Sequence, residues 1–161
     1  MTEAIKKELT VPLRPKDAFS LFTDDLAKWW PSETHSLSAA RGERPQDVIV
    51  EPRTGGHIVE TTDQGEIAHW GTITGWDPGR RLAIRWYVGR EEEEATDITV
   101  VFIPTDTGTR VELTHDGFDR LGHEAETTCA SYKTGWDHVL IERFGTYCQS
   151  SHLCATNRVS G

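Results

Sequence analysis

Seven histidines, three cysteines and 26 acidic side chains are the raw material for chemistry in this 161-residue chain. Few of them are spaced for it. His115 is the titratable group that strand alternation places most firmly on an inward face, because Val111, Leu113 and His115 of "TRVELTHDGF" point the same way. An imidazole with an ordinary pKa of about 6.5 suits acid–base work or a single polar contact to a ligand. The alternative is a histidine bonded to Asp116 or to a loop carbonyl at the strand end. Glu60 follows the Gly55-Gly56 turn by four residues. It reads either as a pocket carboxylate or as an outward charge on a half-wet strand. His69 lies on a strand whose facing is undetermined, and Glu51 and Arg53, two apart, are placed to pair with each other.

Metal, phosphate and covalent chemistry have little support. No H-x-H, H-E-x-x-H or H-x₃-H pair occurs, and His138 with Glu142 offers two potential ligands without a visible third. No metal site and no cofactor are expected. No glycine-rich phosphate loop and no nucleophile elbow is present, so no catalytic residue is assigned. Cys129 falls near the start of the last helix, where the dipole could lower its pKa. The preferred reading is a small structural residue.

Cys129, Cys148 and Cys154 lack CxxC spacing, which fits a reducing compartment rather than a disulfide framework. The formal charge of −9 and the absence of a basic stripe argue against nucleic acid and against an anionic membrane surface. The run Glu91 to Glu94 reads as a solvated loop tip. No apolar stretch approaches the ~20 residues of a membrane span, and "MTEAIKKELTV" has no signal-peptide core. A cytoplasmic protein is the expectation.

The elements that must position these groups follow from periodicity. Ile5, Lys7, Leu9 and Val11 alternate as a first strand whose apolar face is broken by Lys7. Pro15 suits a first helical turn, with Ala18, Phe19 and Phe22 on one face. A second short helix, about Asp25 to Trp29, ends in the pair Trp29-Trp30 and is stopped by Pro31. Residues 31–46 are a polar loop. Six short runs separated by turn signals then read as an antiparallel meander. Tyr132, Trp136, Leu140 and Phe144 recur at four-residue steps, which marks a long amphipathic helix from about Glu124 to Cys148. Residues 1–150 read as a single domain and 151–161 as a flexible tail. The fold class is α+β: a curved antiparallel sheet of six or seven strands, two short helices and one long C-terminal helix. One helix cannot cover a strongly twisted sheet everywhere, so a gap is expected between them, as in many ligand sites. The inward positions Leu82, Ile84, Trp86, Ile98, Val100 and Phe102 would face Trp136, Leu140 and Phe144 across it. Of the tryptophan pair, one should pack inward and the other should form the entrance with the 31–46 loop.

Several motifs occur in an order that resembles a known family. They are Pro15 with Ala18-Phe19, the pair Trp29-Trp30, Gly55-Gly56, then Gly71, Trp76, Pro78, Arg81 and Leu82, then "GTR", "THDGF" and Gly135-Trp136. Over roughly residues 3–148 the chain resembles the SRPBCC (START-like, helix-grip) superfamily. Within it, the similarity is to the C-terminal domain of the heat-shock-protein-90 ATPase activator. The resemblance implies a helix-grip fold around a cavity. Superfamily members bind lipids or hormones or cyclise polyketides.

The leading expectation is a protein that binds an apolar or aromatic small molecule, with Trp29, Trp30, Glu60, Trp86, His115, Trp136, Leu140 and Phe144 around the ligand. The first alternative is a cyclase- or hydrolase-type enzyme using the same cavity. The second is a co-chaperone stimulating the heat-shock ATPase, although the activators carry an additional N-terminal docking domain for which this chain has no room. A homodimer through an open sheet edge is also expected.

Overall fold

In β1 (Ile5–Val11), alternating burial closes the two ends of the strand, Ile5 and Val11, into the core. The computed structural model describes residues 3–159 of the chain, with side chains through residue 152. Helices α1 (Pro15–Thr23) and α2 (Leu26–Trp29) follow, with Pro15 in the first turn of α1, where its missing N–H costs nothing. The loop of residues 31–46 leads into the meander β2 (Asp47–Val50), β3 (His57–Thr61), β4 (Ile67–Asp77), β5 (Arg81–Trp86), β6 (Thr96–Thr105) and β7 (Gly108–Asp116). All pairings are antiparallel and the sheet order is β1-β7-β6-β5-β4-β3-β2.

The sheet is curled. Register shifts in β3–β4 at Ile58/Val59 and in β4–β5 at Ile73/Gly75 bend the strands. At the other side β1 and β7 are drawn together at Gly108. A Cβ there would lie 2.0 Å from the Val11 carbonyl oxygen, so only glycine permits that approach. The concave face is built in rows across the strands. Ile84, Ile98, His115 and Ile5 form one row, and Leu82, Val100 and Leu113 the next. All of these side chains are buried. Lys7, the expected break in the apolar face, continues the second row and bridges to Asp137 at 2.8 Å.

Over this face lies one long helical run: α3 (Ala125–Trp136), a π-helical segment (Asp137–Phe144) and α4 (Gly145–Val159). The widened segment has a reading in the sequence. A buried stripe at Trp136, Leu140, Phe144 and Cys148 repeats every four residues. An α-helix turns in 3.6 residues and a π-helix in about 4.4, so a mixture of the two keeps a four-residue stripe pointing one way. Polar ties hold the run in place. Arg143 donates to the Trp29 carbonyl at 3.2 Å and to Glu33 at 2.9 Å, and the Tyr147 hydroxyl donates to Asp25 at 2.9 Å. Among the described residues, no helix is long and apolar enough to cross a membrane.

Candidate functional site

The two adjacent tryptophans part company at the end of α2. Trp29 is the last residue of that helix and turns into the core, where its Nε1–H donates to the Leu21 carbonyl at 3.0 Å. Its ring packs on Phe22 and Phe144, with centroids 5.1 and 4.9 Å away. Trp30 has extended backbone angles, φ −65° and ψ 131°, which aim it elsewhere. Its Nε1–H donates to the His35 carbonyl at 2.8 Å, and its ring meets Trp70, Trp86 and Trp136 at 5.4, 5.7 and 6.1 Å.

A cavity of about 310 Å³ opens beside Trp30, between the 31–46 loop, the end of β5 and the long helix. Trp30, Trp86, Val88, Tyr132, Gly135 and Trp136 form its walls, and Thr34, His35, Ser36 and Ser131 complete the lining. The wall is apolar because the tryptophan N–H groups are all directed back into the protein. Trp86 Nε1–H donates to the Tyr132 hydroxyl at 2.9 Å, and Trp136 Nε1–H to His115 Nδ1 at 3.0 Å. What these three tryptophans present to the cavity is ring surface, while Thr34, His35, Ser36 and Ser131 give it a polar side. Gly135 is helical and has nothing within 4 Å of where a Cβ would stand, so the helix wall is held back at this point.

His115 stands behind this wall. Because Nδ1 accepts from Trp136, the ring proton is on Nε2, which donates to Thr96 Oγ1 at 2.7 Å. Thr96 Oγ1 in turn donates to the Trp86 carbonyl at 3.4 Å. The imidazole therefore links two of the three tryptophans of the wall, Trp86 and Trp136. It is fully buried, and burial pushes its pKa down to about 3, so it stays neutral.

Glu60 supports the loop side. Its Oε1 accepts from the Leu37 N–H at 2.9 Å and from Trp70 Nε1–H at 2.9 Å. Its Oε2 accepts from the Ser38 N–H at 3.0 Å and from the Ser38 hydroxyl at 2.6 Å. Burial pushes this carboxyl up, but the Ser38 hydroxyl, the Leu37 N–H, the Trp70 indole and the Ser38 N–H together hold it below the usual carboxylate range. Ser38 Oγ also accepts from the Asp63 N–H at 3.0 Å, and Asp63 pairs with Arg41. This network fixes the loop that carries Thr34, His35 and Ser36. At the mouth, the His35 ring lies 5.8 Å from that of His138, which is bonded to Glu142 at 2.9 Å. Burial and the neighbouring His138 lower the His35 pKa.

Of the eight residues expected around a ligand, Trp30, Trp86 and Trp136 line the cavity. Trp29, Leu140 and Phe144 do not. They are solid core, because Phe22, Trp29 and Phe144 fill the middle of the expected gap with interlocked rings. The space that remains is displaced toward the loop. His115 and Glu60 also lie outside the lining, as supports of its walls. His115 takes neither bond considered for it, to Asp116 or to a loop carbonyl. It reaches across to the helix instead.

Tyr132 was readable only as one more member of the helix stripe. Its pairing with Trp86, 46 residues away, has no local signal. Thr34, His35 and Ser36 read as an ordinary polar loop. Their position directly after Trp30 is the one hint that they share its surroundings. His69 faces away from the cavity and stacks on His57 at 4.2 Å, and Glu51 meets both Arg53, at 3.6 Å, and His57, at 3.2 Å. Among the described residues, no group of three or more His, Cys, Asp or Glu side chains is arranged to hold a metal ion.

Comparison with known proteins places this geometry. No curated protein matches the chain. A solved anthrahydroquino-γ-pyrone synthase, in a complex, is 30% identical, with a TM-score of 0.57, and the alignment covers 78% of this chain and 84% of that one. A protein from Mesorhizobium loti superposes with a TM-score of 0.65 at 16% identity over 89% of this chain and 95% of its own. An AHSA1-like protein from Aeromonas hydrophila gives 0.64 at 18% identity over 94% and 95%. These two show the shared fold. The family model for activator of Hsp90 ATPase homolog 1-like protein matches residues 12–149. The chain therefore belongs to the activator of Hsp90 ATPase homolog 1-like family and has the helix-grip fold of the SRPBCC superfamily.

Proposed function

We propose that the protein binds an apolar, aromatic small molecule in the cavity beside Trp30. The observation that carries this reading is a space of about 310 Å³ walled by three indole rings whose N–H groups are already bonded within the protein. These rings offer flat apolar surface, and Thr34, His35, Ser36 and Ser131 in the rest of the lining offer hydrogen bonds to a polar edge of the ligand. Its size is at the lower end of the roughly 300–1,000 Å³ of small-molecule pockets, which suits two or three rings. Gly135 supports the reading. A helical glycine costs about 1 kcal/mol relative to alanine, and here it keeps the wall open. The net charge of −9 disfavours anionic ligands at long range.

A second reading, a cyclase-type enzyme in the same cavity, is favoured by the 30% identity to the γ-pyrone synthase. Against it, the two best acid–base groups are committed elsewhere. His115 is neutral behind Trp136, and Glu60 is saturated by the loop.

The test is titration with N-phenyl-1-naphthylamine, a neutral apolar probe, followed by tryptophan fluorescence. Saturable quenching is expected in the wild-type protein, and its loss in Gly135→Leu, which fills the cavity from a helical position. Non-saturating quenching, or equal affinity in the folded variant, would overturn the proposal.

A further inference from the structure

We infer that the molecule bound beside Trp30 is an aromatic cation, and that its methylated ammonium group seats against the indole rings of Trp30, Trp86 and Trp136. This rests on the cavity being a binding site. An indole ring is negative over its face and positive at its edge, where the N–H lies. All three of these N–H groups are occupied inside the protein, by the His35 carbonyl at 2.8 Å, the Tyr132 hydroxyl at 2.9 Å and His115 Nδ1 at 3.0 Å. The most positive part of each ring is therefore turned to an acceptor, and the electron-rich carbon surface is left to the cavity. No Lys, Arg, Asp or Glu side chain lines this space, so the rings and the hydroxyls set its potential. His35 is the one basic side chain in the lining. Burial and the neighbouring His138 lower its pKa, so at neutral pH it brings no opposing charge.

Geometry and charge narrow the class. The centroid of Trp30 stands 5.7 Å from that of Trp86 and 6.1 Å from that of Trp136, whose plane is turned by 82°. Rings that border one space at these separations let a single compact cation lie within about 6 Å of more than one centroid, the range over which a ring attracts a cation. A methylated ammonium suits them better than a primary one, because it needs no hydrogen-bond acceptor and ring faces supply none. Its methyl groups also bury apolar surface. At the mouth Glu33 holds Arg143 at 2.9 Å and Glu142 holds His138 at 2.9 Å, so neither base stands there as an unbalanced positive charge. At long range the net charge of −9 draws cations toward the protein.

Phenyltrimethylammonium and tert-butylbenzene have the same shape and differ by a charged nitrogen in place of one carbon. Their affinities are measured by tryptophan quenching. A site selecting on apolar surface alone takes tert-butylbenzene roughly tenfold or more tightly, because only the cation must give up the hydration of a charge. The wild-type protein is expected to bind phenyltrimethylammonium at least as tightly as tert-butylbenzene. Trp30→Leu should lower the cation's affinity about fivefold more than that of tert-butylbenzene, the worth of one partly desolvated cation–π contact. In the wild-type protein the N-methyl proton resonance of the bound cation should move upfield by more than its phenyl resonances, a readout that needs no variant. A roughly tenfold preference for tert-butylbenzene, equal losses for the two probes in folded Trp30→Leu, or methyl protons shifted less than phenyl protons overturns the cation assignment and leaves the cavity as a binding site. Failure of both probes to bind the wild-type protein overturns the binding reading itself, and this inference with it.

Discussion

Replacing His115 with glutamine should change how the stability of the protein depends on pH. His115 has a folded pKa of about 3 against an ordinary value of 6.5. Between those values the unfolded chain binds a proton that the folded chain refuses, so stability rises with pH through this window. The contribution of the neutral imidazole is complete above about pH 6.5 and is lost progressively as pH falls toward 3. Each unit is worth 1.36 kcal/mol. Going from pH 7.5 to pH 5.0 crosses about 1.5 units below the unfolded pKa, so this one residue should remove about 2 kcal/mol. His115 is fully buried, so solvent screening does not reduce the figure.

Glutamine does not titrate but cannot reproduce both bonds, to Trp136 and to Thr96. The variant should therefore be less stable at pH 7.5 by about 1–3 kcal/mol, the cost of an unsatisfied buried polar group. The gap between the two proteins should then narrow by about 2 kcal/mol at pH 5.0. Urea unfolding at both pH values measures it, and the subtraction cancels the other six histidines and the carboxylates. Parallel stability curves for the two proteins would refute the reasoning. So would an NMR titration placing the His115 midpoint near 6.5.

Glu60→Gln should destabilise the protein by about 3 kcal/mol, because an amide NH₂ must face two donors where a carboxylate oxygen now accepts charge-assisted bonds. Limited proteolysis should then cut within residues 31–46. Because its pKa is lowered, Glu60 contributes stability above the ordinary carboxylate range, and this is lost as pH falls through the lowered value, a slope that Glu60→Gln should lack. Gly135→Ala should raise stability by up to about 1 kcal/mol in thermal or urea unfolding, since the position is helical and the new methyl meets nothing. The open edges of β1 and β2 should support a homodimer, which sedimentation at micromolar concentration would detect as a species of twice the chain mass. A single species of chain mass would remove that expectation.

The fold was legible because it is written in short-range patterns. Alternation in β5, β6 and β7 identifies the buried rows, and the four-residue stripe identifies the buried face of the long helix. The division of labour in the tryptophan pair was legible too, since a helix stopped by Pro31 must turn its last two side chains in different directions. The site was less so. The partners of Glu60 lie 22 and 23 residues back in a loop without period, and the partner of His115 lies 21 residues ahead on the helix. Where the cavity sits depends on how far Phe22, Trp29 and Phe144 fill the space under the helix. That is a matter of summed volumes, and no residue pattern records it.

The placement of Trp30 has an optical consequence. Its ring stands within 6.1 Å of those of Trp29, Trp70, Trp86 and Trp136. Indole transition dipoles at such separations couple, so these five chromophores absorb as one exciton system, while Trp76 stands apart against Phe19. Their near-ultraviolet circular dichroism should be a shared couplet rather than a sum of five bands. Excitation anywhere in the cluster can migrate to the ring at the cavity wall. A molecule stacked on Trp30 would darken the whole cluster, and Trp30→Phe would uncouple Trp29 and Trp136 from the remaining pair, Trp70 and Trp86, whose own contact at 5.9 Å survives.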